Sequence, residues 1–163
     1  MFPDAEGLRP TPDRVRETLF NWLGQDLFGK RCLDLFAGSG ALGLEAASRG
    51  AAEVVMVEKN HKVHKTLQEN IGKLKFDNIT LRCEDGLNFA MRAQDKFDVI
   101  FLDPPFQSDY LAKLLPLMTG MLTEEGLLYI ECGASFAAPE PWQVYKHGKA
   151  GAVYYQLLQL KTN

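Results

Sequence analysis

Two short stretches hold residue types whose spacing could do chemistry. DLFAGSGALG (34–43) carries Gly38, Gly40 and Gly43 at G-x-G-x-x-G spacing behind an acid, Asp34. Glycines so placed let a backbone turn tightly and come close to the polar part of a nucleotide. FLDPPF (101–106) ends an apolar run in Asp103, Pro104, Pro105 and Phe106. The two prolines fix φ and remove backbone donors. Asp103 and the Pro104 carbonyl are then acceptors able to grip both hydrogens of a planar exocyclic amine. Such a grip favours a pyramidal nitrogen, aims its lone pair and stabilises the charge that builds there. Phe106 is placed to stack on the base that carries the amine, and a base within a helical stack must first swing out.

The glycine loop suits two adenosine-containing ligands. In a dinucleotide reading, the glycines approach a pyrophosphate and Glu58, about 20 residues on, meets the ribose. Asp34 is unfavourable beside a pyrophosphate, and the chain leaves no second domain for a hydride acceptor. S-adenosylmethionine suits the loop better. Asp34 attracts its ammonium group, the Gly38–Gly40 backbone passes its sugar and amino-acid portion, and Glu58 accepts from both ribose hydroxyls. Asp85 takes the adenine amino hydrogens. Phe36, Ala37, Ser39, Lys59, Glu84 and Gly86 complete the candidate cofactor-binding set. Glu58 and Asp85 separate the two ligands poorly, whereas Asp34 favours the second. Methyl transfer of this kind needs no metal.

These residues need elements to place them. A helix is expected from near Thr11, with Pro12 at its first position and an apolar face of Val15, Leu19, Phe20, Trp22 and Leu23; Gly24 ends it. Strands are expected at 31–36, 53–58, 78–83, 97–103 and 126–132, with helices at 40–50, after the second strand (Val63, Leu67, Ile71 and Leu74 at helical spacing), at 86–93 and near 108–119. The stretch after Trp142 reads as a hairpin around a glycine-containing turn. Alternating strands and helices imply an α/β fold, a mainly parallel sheet covered on both faces with an antiparallel edge. In such sheets ligands bind beyond the carboxyl ends of the strands. The glycine loop, Glu58, Glu84–Asp85 and Asp103 all stand at such ends.

The 163 residues suit a single domain (1–30 an N-terminal segment and helix, 31–163 the cofactor-binding and catalytic core), 46% hydrophobic and 24% charged. No apolar run approaches the roughly 20 residues of a membrane span. MFPDAEGLRP lacks the features of a secretory signal. Cys32, Cys83 and Cys132 stand far apart in or beside expected strands, which suits buried thiols in a reducing, cytoplasmic setting. Net charge is −3, so contact with nucleic acid must come from local basic patches. Arg9, Arg14 and Arg16 form one; Lys146, His147 and Lys149 form another.

DLFAGSGALGLEAASRGA, LRPTPDRVRETLFNWL and FDVIFLDPPF together resemble the bacterial small-subunit ribosomal RNA guanine-N2 methyltransferases, the methyltransferase D family. The resemblance runs from about Gly7 to the final strand. It implies a three-layer, Rossmann-like class I methyltransferase fold with a seven-stranded sheet, S-adenosylmethionine as donor, and one guanine of 16S rRNA as acceptor, within an assembled or assembling small ribosomal subunit. By position, Asp34, Gly38, Gly40, Glu58 and Asp85 bind cofactor, and Asp103 to Phe106 form the amine-binding loop. Arg9, Thr11 and Arg14 border the methionine end or the RNA; apart from the resemblance, the basic patches make Arg16, Lys146 and Lys149 further candidates for contact with RNA. Family members usually carry an additional basic N-terminal segment, which is expected to be missing here. A monomer is expected, with no membrane partner. Adenine N6, a tRNA guanine and, more remotely, an NAD-dependent hydride transfer stay open as alternatives.

Overall fold

The computed structural model describes residues 12–24, 26–104, 108–132 and 136–161. In chain order the elements are α1 (Asp13–Leu23), β1 (Arg31–Asp34), α2 (Ala41–Ser48), β2 (Glu53–Val57), α3 (His61–Leu74), β3 (Ile79–Arg82), α4 (Gly86–Arg92), β4 (Phe97–Leu102), α5 (Ser108–Met118), β5 (Leu122–Cys132), β6 (Trp142–Ala150) and β7 (Val153–Leu160). The seven strands form one sheet in the order β3-β2-β1-β4-β5-β7-β6. The first five run parallel, and β7 lies antiparallel between β5 and β6. The chain builds outward from β1 to β3, then crosses back to β4. The reversal beside β1 is the switch point at which open α/β sheets bind ligands.

Both faces of the sheet are apolar because both are covered. On one, Val15, Leu19, Phe20, Ala46 and Leu67 of α1, α2 and α3 close on Cys32, Met56, Phe101 and Tyr129. On the other, Phe89, Leu114 and Met118 of α4 and α5 close on Leu33, Val55, Ile100 and Leu128. Each large side chain so buried contributes about 1.5–3 kcal/mol, which explains why VIFL shows no polar alternation.

The structure departs from the expected elements in a few places. Pro12 lies just before α1 with an extended ψ of 143°, so the helix begins at Asp13. β1 ends at Asp34, two residues early, because Ala37 turns to donate to the Val57 carbonyl at 2.9 Å. β5 starts at Leu122, four residues early: Leu122 pairs with Phe97, and an irregularity before Val99 absorbs the extra length. Leu74 lies at the solvent end of α3, while Val63 and Leu67 are buried. Cys32 alone of the three cysteines is buried, and burial pushes its thiol up to about 12. Cys83 is exposed at the end of an edge strand, with Sγ 3.5 Å from His61 Nδ1. No helix among the described residues is long and apolar enough to cross a membrane.

Candidate active site

The glycine loop leaves β1 and is tied to β2 by two hydrogen bonds. Ala37 donates to Val57 O, and Gly38 N–H donates to Glu58 Oε1 at 2.9 Å. Glu58 Oε2 accepts from Asn60 N–H at 2.8 Å. Both oxygens of this carboxylate are therefore fixed by backbone donors, and each keeps a second lone pair. Gly38 and Gly40 have φ of 54° and 82°, the left-handed region that glycine adopts without strain. Gly40 and Gly43 also serve packing. A Cβ on Gly43 would lie 2.9 Å from Met56 Sδ, and one on Gly40 2.4 Å from Leu67 Cδ2.

Asp34 is 3% exposed, and its Oδ2 accepts from Gly43 N–H at 3.1 Å, in the first turn of α2. Burial raises its carboxyl to about 7; Glu58 and Glu131 push in the same direction, and the Gly43 hydrogen bond opposes them. No lysine or arginine pairs with Asp34 among the described residues.

Register explains why these acids gather. Met56, Asp34, Phe101 and Tyr129 are partners across four adjacent strands. Two residues beyond Met56, Phe101 and Tyr129 come Glu58, Asp103 and Glu131. Glu131, absent from the expected set, is 6% exposed and accepts from the Tyr129 hydroxyl at 2.8 Å. Burial, then Glu131 and Asp103, hold the Tyr129 phenol protonated far above its ordinary range. The signal in the sequence was an acid two residues after a tyrosine in the otherwise apolar LLYIEC.

The third strand end supplies a further group. Asp85 caps α4, Oδ2 accepting from Asn88 N–H at 3.2 Å, and the Tyr110 hydroxyl donates to its Oδ1 at 3.4 Å. Tyr110, also absent from the expected set, meets Phe36 edge-on with centroids 5.8 Å apart. Phe36 lies against Gly86, where a Cβ would stand 2.8 Å from the Leu35 carbonyl oxygen and 2.8 Å from Phe36 Cζ. Gly86→Ala is expected to displace Phe36 and cost about 1–3 kcal/mol in denaturant unfolding. Gly72→Ala in α3, with nothing within 4 Å, should be neutral or stabilising.

Of the expected site residues, Asp34, Phe36, Ala37, Gly38, Ser39, Gly40, Glu58, Lys59, Glu84, Asp85, Gly86, Asp103 and Pro104 all stand at the carboxyl ends of β1 to β4. Glu84 is engaged by Arg92. Pro105, Phe106, Arg9 and Thr11 lie outside the described residues. Arg14 is exposed on α1, whereas Arg16 is held by Asp13 at 3.1 Å and lies 3.7 Å from Glu45 of α2. Lys146 and Lys149 are on β6, at the far edge of the sheet.

The family model of conserved hypothetical protein 95 matches residues 1–159. Ribosomal RNA small subunit methyltransferase D of Escherichia coli strain K12 is 40% identical over 162 residues, 96% of this chain and 82% of the relative. The protein of that name from Haemophilus influenzae is 39% identical over 164 residues, 96% of this chain and 85% of its own. The solved structure of a candidate methyltransferase from Escherichia coli matches with a TM-score of 0.88 at 39% identity, covering 99% of this chain and 92% of that one. With that identity along nearly its whole length, and with DLFAGSG and Asp103–Pro104 at the switch point of its sheet, the chain belongs to the ribosomal RNA small subunit methyltransferase D family.

Proposed function

We propose that this chain methylates the exocyclic N2 amine of a guanine in 16S rRNA, with S-adenosylmethionine as donor and the assembled or assembling small subunit as substrate. The observation that carries this reading is the charge of the crevice. Glu58 and Asp34 accept from Gly38 and Gly43 of the glycine loop, and the buried Asp34 has no cation beside it among the described residues. A pyrophosphate is repelled by such a set, whereas a ligand bearing an ammonium and a sulfonium is attracted.

The residues suit that ligand. Asp34 holds the ammonium, Glu58 offers one free lone pair per oxygen to the two ribose hydroxyls, and Asp85 faces the adenine amino group. Bound S-adenosylmethionine supplies a methyl carbon made electrophilic by its positively charged sulfur. The protein's own work is to position the nucleophile. Asp103 and the Pro104 carbonyl take the amine hydrogens, Phe106 stacks on the base, and the surplus proton leaves to water or Asp103.

The test is incubation of the chain with labelled cofactor and undermethylated small subunits, followed by mass spectrometry of the nucleosides. N2-methylguanosine in 16S rRNA is the expected product. N6-methyladenosine there, or labelling of tRNA alone, replaces the substrate assignment. Calorimetric titration should show S-adenosylhomocysteine binding and no comparable binding of NADH; tight binding of NADH alone overturns the reading.

A further inference from the structure

We infer that the β6–β7 hairpin is the surface on which the RNA strand adjoining the target nucleotide lies. This deepens the reading of the chain as an rRNA methyltransferase and rests on it.

The first support is charge. The whole chain carries −3, yet residues 141–163 contain Lys146, His147, Lys149 and Lys161 and no aspartate or glutamate. Lys161 is taken up by Glu140. Lys146 and Lys149 are exposed and form no ion pair among the described residues. Each ammonium instead lies over an aromatic ring, Lys146 Nζ 5.7 Å from the Tyr145 centroid and Lys149 Nζ 5.1 Å from that of Tyr154. A cation over a ring keeps its full charge for a phosphate. The ring in turn is a platform on which any base stacks. Tyr145 is 47% exposed beside a register shift between Val144 and Lys146.

The second support is placement. Lys146 and Lys149 are three residues apart in one strand, so they leave opposite faces of the sheet. The edge thus shows positive charge on both sides to a backbone running along it. Lys149 pairs with Tyr154, and Tyr154 with Cys132 of β5. Leu102 pairs with Ile130, so Asp103 stands level with Glu131, one residue before Cys132. Lys149 therefore sits at the same end of the sheet as Asp103, and Lys146, through Leu157 and Tyr129, stands level with Phe101, two residues earlier. They are three strand spacings away, about 14 Å at roughly 4.8 Å per spacing, a distance a few nucleotides cover.

Lysines on an edge strand also prevent edge-to-edge pairing between molecules. That task needs no aromatic rings beneath the charges and no alignment with the active end of the sheet, so the two roles separate experimentally. In the full chain, Lys146→Glu/Lys149→Glu should raise KM for undermethylated small subunits at least tenfold. It should also flatten the dependence of log KM on log salt by about 2, one phosphate contact per lysine. Affinity for S-adenosylhomocysteine and the thermal midpoint should stay at wild-type values. Tyr145→Ala should raise KM roughly severalfold with the salt slope unchanged, the mark of stacking.

Lys65→Glu/Lys73→Glu makes the same change in net charge on exposed positions of α3 and should leave KM and slope near wild type. Equal effects from both pairs overturn the hairpin assignment in favour of bulk charge. Wild-type KM and slope with increased aggregation overturn it in favour of edge protection. In both cases normal methylation by the wild-type chain leaves the proposed reaction standing. A wild-type chain that binds cofactor but methylates no rRNA removes the reaction and the docking surface together.

Discussion

Replacing Asp103 with Ala is expected to remove methyl transfer while S-adenosylhomocysteine binds within a few-fold of wild type. An exocyclic amine is a poor nucleophile because its lone pair is delocalised into the ring. Asp103 acts when nitrogen turns pyramidal and gains positive charge, so its contribution is concentrated in the transition state. Loss of one preorganised partner of this kind costs about 10²–10³-fold in rate. Removing the carboxylate also leaves the Pro104 carbonyl as the one remaining acceptor proposed for the two hydrogens. Asp103→Asn keeps an acceptor oxygen without the charge and should fall between the two. Single-turnover rates on small subunits measure the effect. Transfer by Asp103→Ala at more than about a tenth of the wild-type rate would falsify the amine-grip mechanism.

A second substitution, Asp34→Asn, should move stability and ligand affinity in opposite directions. Burial lifts this carboxyl from 3.8 to about 7, with Glu58 and Glu131 adding to the effect. Between those values the folded chain holds a proton that the unfolded chain has released, so stability falls as pH rises from about 4 to 7. Above pH 7 the full cost is present. At about 1.4 kcal/mol per pH unit it is on the order of 4 kcal/mol. Asparagine still accepts from Gly43 N–H and carries no charge. The variant should therefore unfold at a higher temperature than wild type at pH 8, and the gap should close towards pH 4. Ligand binding follows the other sign. An ammonium at Asp34 favours the ionised form, so wild-type affinity for S-adenosylhomocysteine should be roughly tenfold weaker at pH 6 than at pH 8. In Asp34→Asn the affinity should be lower at both pH values and lose this dependence. Calorimetric unfolding and titration at the two pH values check both halves. A variant that is less stable at pH 8, or that binds as tightly as wild type, removes Asp34 as a reserved cation site.

Much of the fold is legible in the sequence, because its main signals are local. Strands at β2 and β4 follow from β-branched and apolar runs, and the tight turn after β1 from Gly38 and Gly40. What was not legible depends on partners distant in sequence. Glu131 reads in the sequence as an acid near the end of a strand, and only the pairing of β5 with β4 brings it level with Asp103. Tyr110 matters because α5 returns it to Asp85, 25 residues earlier. Arg16, a candidate for contact with RNA, lies 3.7 Å from Glu45, a neighbour that depends on how α1 packs on α2. Cys83 was expected to be buried because it ends the expected strand 78–83; that β3 is an edge strand is a property of the whole sheet. Gly43 matched a ligand-binding spacing, and the fold also uses it to bring α2 close to Met56.

The position of β7 has a consequence for synthesis. The fold inserts β7 between two strands made before it, joining β5 to β6. While the polypeptide is still emerging, β5 has a neighbour on one side only, and β6 has no place in the sheet. Parallel assembly of the first five strands can therefore proceed while translation continues, but sealing must wait for β7. Until then the nascent chain presents an open, adhesive margin, an unpaired strand edge of the kind that favours aggregation.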